Sequence, residues 1–309
     1  MAEAPALSVV VPLFNEAESL ARLYERLTQT LTALGRSYEV LFVDDGSRDG
    51  SLELLRRFHA DDRHVRVVRL NRNYGQHAAV LAGMERARGE VVVTLDGDLQ
   101  NPPEEISRLL AEIDKGHDVV GGWRVSRQDP WVRRLLSAAV NRVISATVGV
   151  RMRDYGCMLR AYRREVVEHL LQCRETSLFI PALANTFAAS AAEVPVSHEP
   201  RRHGRSHYGL LRLLRLNFDL LTGFSLLPIQ TVSLAGIGIA VLGLGFALFL
   251  AVRRLLVGPE VEGVFTLFAI LFFFVGLQIL ALGLIGEYVA RIYQEVRRRP
   301  RYIVAEVLE

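Results

Sequence analysis

The seven residues from Leu7 to Leu13 (LSVVVPL) are nearly all apolar, rich in valine and closed by Pro12. Too short for a typical helix, they predict a buried strand. Asn15 and Glu16 then open a segment in which Leu20, Leu23, Leu27, Leu31 and Leu34 recur at three- and four-residue spacing, with Gly35 at its end. That spacing predicts a helix with one buried face. The alternation repeats: strand Tyr38 to Val43, helix Ser51 to Ala60, strand Val65 to Leu70, helix Gln76 to Arg86, strand Glu90 to Leu95, helix after Pro102-Pro103. Strands alternating with amphipathic helices predict an α/β domain on a parallel sheet, with ligands at the carboxyl ends of its strands.

Past Gly121 the texture changes to an arginine-rich stretch (Arg124, Arg127, Arg133, Arg134), a helix to about Val148 and a loop around Asp154-Tyr155-Gly156-Cys157. From Tyr208 to Leu227 leucines take one face and Arg212 and Arg215 the other, as in a helix lying at a membrane surface or, alternatively, an ordinary core helix. Pro228 to Val252 holds 25 residues without a charge and Gly263 to Gly286 holds 24. About 20 suffice to span the hydrocarbon, so two transmembrane helices are expected. Gly236, Gly238, Gly243 and Gly245 lie inside the first apolar window with no strand before them. They suit close helix packing better than a dinucleotide loop. Arg201, Arg202 and Arg205 before the spans, and Arg291, Arg297, Arg298, Arg299 and Arg301 after them, place both flanks on the cytoplasmic side. The expected organisation is a cytoplasmic α/β domain over 1–207, a surface helix over 208–227, a transmembrane hairpin over 228–286 and a cytoplasmic tail over 287–309.

Composition narrows the function. The 309 residues are 50% apolar and 23% charged, too apolar for disorder and too charged before Asp219 for a wholly embedded chain. Net charge is only +3, and every basic residue except Lys115 is arginine, so nothing suggests nucleic acid. Two cysteines, Cys157 and Cys173, make neither a disulfide framework nor a metal pair. Met1 to Leu7 lacks the pattern of a secretory signal, which leaves the first domain in the cytoplasm.

Asp96-Gly97-Asp98 follows a strand, with Gln100 two residues on. Two carboxylates so placed can hold a divalent cation against a diphosphate, or they can be a solvated turn. Asp44-Asp45 ends another strand of the same sheet, so both acidic pairs open onto one edge, which favours a cation or sugar hydroxyls there. The arginines Arg127, Arg133 and Arg134, with Ser137, suit phosphate oxygens or, alternatively, a solvated face or lipid headgroups.

These motifs together resemble a known family. Val11 to Glu16 (VPLFNE), Val43 to Ser47 (VDDGS) and Leu95 to Gln100 (LDGDLQ) are similar, in order and spacing, to the motifs of GT-A glycosyltransferases of family 2, specifically the polyprenyl-phosphate sugar transferases. Arg72 to His77 (RNYGQH), Asn101 to Glu105 (NPPEE), Asp154 to Arg164 (DYGCMLRAYRR) and the tail from Gly286 to Tyr302 resemble more closely the undecaprenyl-phosphate 4-deoxy-4-formamido-L-arabinose transferases of lipid A modification.

The resemblance implies a GT-A, Rossmann-like fold and an inverting, metal-dependent transfer from a UDP-sugar to undecaprenyl phosphate, tied to polymyxin resistance. Pro12, Asn15, Glu16 and Asp44 would line the uridine pocket, with Gly75 and Gln76 nearby. Asp96, Asp98 and Gln100 would hold Mg²⁺ or Mn²⁺. Arg201 would reach the donor diphosphate. Arg127, Arg133 or Arg134, and Ser137 would hold the acceptor phosphate, and Asp154 matches a proposed catalytic carboxylate. A homotetramer in the bacterial inner membrane is further implied. Gly97 where alanine is usual, Gly122-Trp123-Arg124, and His207 where lysine is common depart from the pattern and leave room for another donor, such as UDP-glucose or UDP-GlcNAc.

Overall fold

The computed structural model describes residues 4–125, 152–173, 179–199, 227–258, 264–297 and 299–309. It divides into two compact units, Met1–Asn217 with Arg298–Glu309, and Phe218–Arg297. The first holds β1 (Leu7–Leu13), α1 (Ala17–Ala33), β2 (Tyr38–Asp44), α2 (Ser51–Asp61), β3 (Val65–Leu70), α3 (Gln76–Arg86), β4 (Val91–Thr94), α4 (Ile106–Asp114), β5 (Val119–Arg124), β6 (Arg160–Arg163), α5 (Arg164–Gln172), α6 (Ile180–Phe187), β7 (Ala191–Val196) and β8 (Val304–Leu308). The second holds α7 (Leu227–Val257) and α8 (Val264–Val296).

The strands form one sheet in the order β7-β5-β6-β4-β1-β2-β3-β8. Side chains alternate across it: Leu7, Val9, Val11 and Leu13 of β1 join Leu20, Leu23, Leu27 and Leu31 of α1 in one core layer. On the other face α3 lies so close that a Cβ on Gly83 would collide with Val10 Cγ1. Helices on both faces explain why β1, β2 and β4 are continuous apolar runs instead of alternating ones.

The sheet is mixed, which corrects the expectation of a parallel one. β4-β1-β2-β3 are parallel, but β6 runs antiparallel to both β4 and β5. The Asp154–Cys157 loop lies at the carboxyl edge, so the strand that follows it has to run back down. β8 runs antiparallel along β3, with Val68 opposite Val307. The segment expected as a tail is therefore an edge strand of the sheet, and the boundary expected at 286 falls inside α8.

Polar contacts fasten that strand. Asn71 N–H donates to Ile303 O at 3.0 Å, Arg56 pairs with Glu306 at 2.8 Å, and Tyr302 Oη donates to Glu85. Arg66 is nearly buried and bridges two carboxylates, Glu309 and Glu39, the second at 2.8 Å. Glu39 is itself buried and also accepts from Ser8 Oγ and the Arg88 N–H, each at 2.6 Å. Arg66→Ala leaves that carboxylate without its cation, and breaking a buried pair from one side costs about 3–5 kcal/mol. Denaturant unfolding followed by circular dichroism should show a clearly lowered midpoint; an unchanged one removes the clamp.

In the second unit, Ile270–Gln294 is long and apolar enough, by length and composition, to cross a membrane, and Ile229–Gly243 is an apolar stretch shorter than that. Leucine, valine and phenylalanine side chains stand exposed along both helices.

Candidate active site

The carboxyl ends of β1, β2 and β4 meet at one edge, where Leu13 pairs with Asp44 and Val10 with Thr94. The two loops after β1 and β2 are laced together. Asn15 N–H donates to Ser47 Oγ at 2.9 Å, and Asn15 Oδ1 accepts from the Arg48 N–H at 2.8 Å. Glu16 N–H donates to Ser51 Oγ at 3.1 Å and Ala17 N–H to Asp49 Oδ2 at 3.1 Å. Asn15 and Leu99 are the two non-glycine residues with positive φ among the described residues, at 56° and 60°. Asparagine tolerates that conformation, whereas in leucine it stores roughly 1–2 kcal/mol of strain, here beside Asp98.

Asp44 and Asp45 are both buried and do different work. Asp44 Oδ1 accepts the Ser47 N–H at 2.9 Å, while Oδ2 has no hydrogen-bond partner and Arg69 Nε stands 4.0 Å away. A buried acceptor of this kind suits an N–H or O–H from a ligand. Asp45 instead accepts the Tyr74 and Gly75 N–H groups at 2.7 and 2.8 Å, fixing the turn before α3. Burial raises the Asp45 carboxyl above its usual range; the two amides oppose this and the neighbouring Asp44 adds to it.

Gly46 has φ 75°, and a Cβ there would sit 2.6 Å from the Arg72 carbonyl carbon. Backbone packs on backbone, and no side chain can yield. Gly46→Ala should cost roughly 1–3 kcal/mol from the conformation alone and weaken nucleotide binding by displacing Asp45 from Gly75. Calorimetry with UDP and Mn²⁺ checks this; wild-type affinity would show that the turn does not matter.

Asp96 accepts from Gln76 Nε2 on one oxygen and from Asn101 Nδ2 on the other, the latter at 3.1 Å. Its carboxyl is pushed up to about 7, by burial first and then by Asp98, against the Arg124 guanidinium and the two amide donors. A cation between Asp96 and Asp98 would relieve that repulsion. Asp98 Oδ1 accepts the Gln100 N–H at 3.1 Å, and Gln100 O accepts the Glu199 N–H at 2.9 Å. Among the described residues no group of three or more His, Cys, Asp or Glu side chains could hold a metal by itself. Two carboxylates fit Mg²⁺ or Mn²⁺ when substrate phosphates complete the shell. Pro12 is buried behind this loop, and a Cβ on Gly97 would meet Pro12 O at 3.2 Å. Alanine would fit here only with a small shift.

Asp154, expected as a catalytic carboxylate, is buried and held by Arg124: Nε donates to Oδ2 at 2.7 Å and Nη2 to Oδ1 at 3.0 Å. The Gly156 N–H donates to Oδ1 at 3.1 Å. Arg127, Arg133, Arg134, Ser137, Arg201 and His207, with residues 208–226, lie outside the described residues.

The structure thus joins Asp44, Gly75, Gln76, Asp96 and Asp98 through shared loops and hydrogen bonds. Asp45, Asn101 and Arg124 were not among the expected site residues. Asp45 stood beside Asp44 in the same motif, and Asn101 follows Gln100 directly, so proximity was the available signal. Nothing local marks Arg124 as the partner of a residue thirty positions on.

The model for Glycosyl transferase family 2 matches residues 8–171. Among solved structures, mannosyl-3-phosphoglycerate synthase from Rubrobacter xylanophilus is 16% identical with TM-score 0.53, over 71% of this chain and 72% of that one. Glucosyl-3-phosphoglycerate synthase from Mycobacterium tuberculosis, in complex with phosphoglyceric acid, is 20% identical with TM-score 0.52, over 71% and 80%. The same synthase in complex with Mn²⁺, UDP and phosphoglyceric acid gives 17% and 0.51, over 71% and 77%. At these identities the likeness is one of fold. The family match covers more than half the chain, spans every acidic motif at the sheet edge, and makes this protein a glycosyltransferase of family 2.

Proposed function

We propose that this chain transfers 4-deoxy-4-formamido-L-arabinose from its UDP donor to undecaprenyl phosphate, with inversion, at the cytoplasmic face of a bacterial inner membrane, for lipid A modification. The observation that carries the reading is the acidic edge, where Asp44 offers a buried unpartnered oxygen and Asp96 and Asp98 crowd together 52 and 54 positions on. Asp44 would take a donor group of uridine, with Asn15, Glu16 and Pro12 shaping that pocket and Gly75 and Gln76 closing it. Asp96 and Asp98, with Gln100, would hold Mg²⁺ or Mn²⁺, which when bound offsets the charge of the diphosphate. UDP and Mn²⁺ are both present in the mycobacterial synthase structure of the same fold.

The acceptor is a phosphate monoester whose second pKa is near 6, so at neutral pH it is mostly a dianion. Its oxygen forms a bond to the anomeric carbon while the bond from that carbon to UDP breaks, and the electron pair leaves on the β-phosphate. No proton has to move. Arg127, Arg133 or Arg134, and Ser137 would position the acceptor, and Arg201 would meet the leaving diphosphate.

The return of β8 to the sheet supports a two-span anchor. If Ile270–Gln294 crosses a bilayer, the chain must cross a second time to bring Val304–Leu308 back beside β3, and α7 is the apolar helix available. A surface helix over 208–227 and a homotetramer complete the reading. The donor rests on the motif resemblance, including the stretch from Asp154 to Arg164.

UDP release by the detergent-solubilised protein, with undecaprenyl phosphate and Mn²⁺ or Mg²⁺, tests it across a panel of UDP-sugars. Release with the formamido-arabinose donor, dependent on lipid and metal, is expected. Release with UDP-glucose or UDP-GlcNAc alone would keep the reaction and discard the sugar.

A further inference from the structure

We propose that the C-terminal strand is part of the donor site: through Asn71 and Tyr74, two positioning residues, the docking of β8 on β3 holds the loop before α3 in the shape that receives the nucleotide. The proposal rests on the reading above that a nucleotide binds at this edge, and it adds a remote element on which that affinity depends.

β3 ends at Leu70 and α3 begins at Gln76, so the five residues between them belong to no regular element. This loop carries much of the edge. Its Tyr74 and Gly75 N–H groups are the two donors to Asp45, its Arg72 backbone lies against Gly46, and Gln76 just beyond it donates to Asp96. A loop of this kind is ordered by its surroundings. Whatever orders it before the nucleotide arrives leaves less freedom to be lost on binding.

The C-terminal strand supplies that order at the first residue of the loop. Glu306 pairs with Arg69 but Val304 pairs with Leu70, which leaves Ala305 as an extra residue in β8. Such bulges bend a strand or end its pairing, and they gather next to active sites. Beyond the bulge, Ile303 O accepts the Asn71 N–H at 3.0 Å. Asn71 passes the constraint inward. Its Oδ1 accepts from Tyr74 Oη at 2.8 Å, and the Tyr74 N–H donates to Asp45 at 2.7 Å. The Arg72 guanidinium covers the Tyr74 ring, 4.8 Å from its centroid. Asn71 is thus held by β8 through its backbone and by the loop through its side chain.

The same segment grips the helix that follows the loop. Tyr302 Oη donates to Glu85 of α3, and burial first, then that carboxylate, pushes the hydroxyl pKa up, so it stays a donor at neutral pH. At the far end of β8, Glu309 pairs with Arg66, whose Nη1 donates to Arg86 O at 2.8 Å, and with Arg88 at 3.1 Å. Arg301 donates to the carbonyl of Cys173, the residue that caps α5. With α3 held at its last turn and the loop at its first residue, Gln76 is fixed from both sides. Seven residues, 297–303, separate α8 from β8, so donor affinity becomes a property of a chain whose last strand has returned to the sheet.

If losing β8 weakens nucleotide binding by some factor, bound nucleotide must oppose the fraying of β8 by the same factor. The full chain in detergent is titrated with UDP and Mn²⁺ by calorimetry, and amide hydrogen exchange of residues 304–308 is followed with and without saturating ligand. Glu306→Pro/Val307→Pro keeps the chain at full length and removes a ladder donor whichever way the strand faces. It should weaken UDP about tenfold, and in the wild type UDP should slow exchange in β8 by about the same factor, against less than about twofold in β7 at the opposite edge. Asn71→Ala and Tyr74→Phe should each weaken UDP about fivefold, together no more than either alone, and each should abolish most of the slowing. Should the proline variant not fold, the two point variants and the wild-type exchange decide the matter. The proposal is overturned if UDP binds the wild type without slowing β8 beyond β7, if the folded proline variant binds UDP as the wild type does, or if the Asn71 and Tyr74 effects add. It is overturned equally if Tyr74→Phe weakens UDP with the slowing intact, which is the mark of a direct contact with the ligand. A wild type that binds no UDP overturns the nucleotide reading of this edge, and the role of β8 with it.

Discussion

Asp98→Asn is expected to lower kcat by about a thousandfold while the protein folds, inserts and unfolds as before. The substitution is isosteric, and the hydrogen bond from the Gln100 N–H to Oδ1 can persist on the amide oxygen. What disappears is one of two carboxylates at the proposed cation site, together with the repulsion that raises Asp96. Folding stability should therefore stay level or rise slightly, which separates a lost ligand from a damaged loop. Steady-state UDP release with saturating Mn²⁺, beside a denaturation midpoint, checks both halves. Turnover within tenfold of the wild type would remove the cation from the mechanism.

Excising residues 218–297 and joining the flanks by a flexible Gly/Ser linker should spare UDP binding and reduce transfer to undecaprenyl phosphate in bilayers by a hundredfold or more. If the acceptor is the proposed lipid phosphate, it cannot leave the membrane, so a domain without the proposed anchor would meet it only by collision with the surface. Residues 298–309 must be kept. Truncating at Asp219 would strip β8 from β3, take Glu309 from Arg66 and open a sheet edge, so a dead protein would prove nothing about anchoring. Vesicles containing undecaprenyl phosphate, assayed beside a UDP calorimetric titration, give the answer. Full transfer by the excised protein would sink the anchoring argument.

What the sequence discloses and what it hides follow from range. The leucine spacing in α1, the valine runs of β1 and β2 and the acidic turns after β2 and β4 are local patterns, and the structure has them within a residue or two of their expected places. Asp44 and Asp96 were legible as site candidates for the same reason: one closes β2 and the other follows β4 by two residues. The antiparallel course of β6 was not, because a four-residue strand carries no mark of direction, only of burial. β8 was hidden more deeply. Its five residues (VAEVL) hold one acidic side chain and show no apolar–polar alternation, and they follow a long apolar helix and a run of arginines that read as a basic tail. The link between Arg124 and Asp154 depends on β5 and β6 being neighbours, which only the folded sheet establishes.

β8 also sets an order of events during synthesis. Its partner β3 leaves the ribosome more than two hundred residues earlier, with both apolar helices made in between. At roughly 5–20 residues per second, the outer edge of β3 waits on the order of ten to fifty seconds for its neighbour. Throughout that interval Arg66 and Glu39 are paired without Glu309, and a row of backbone donors and acceptors stands open to any passing strand. The nascent sheet is therefore finished only after both apolar helices have emerged.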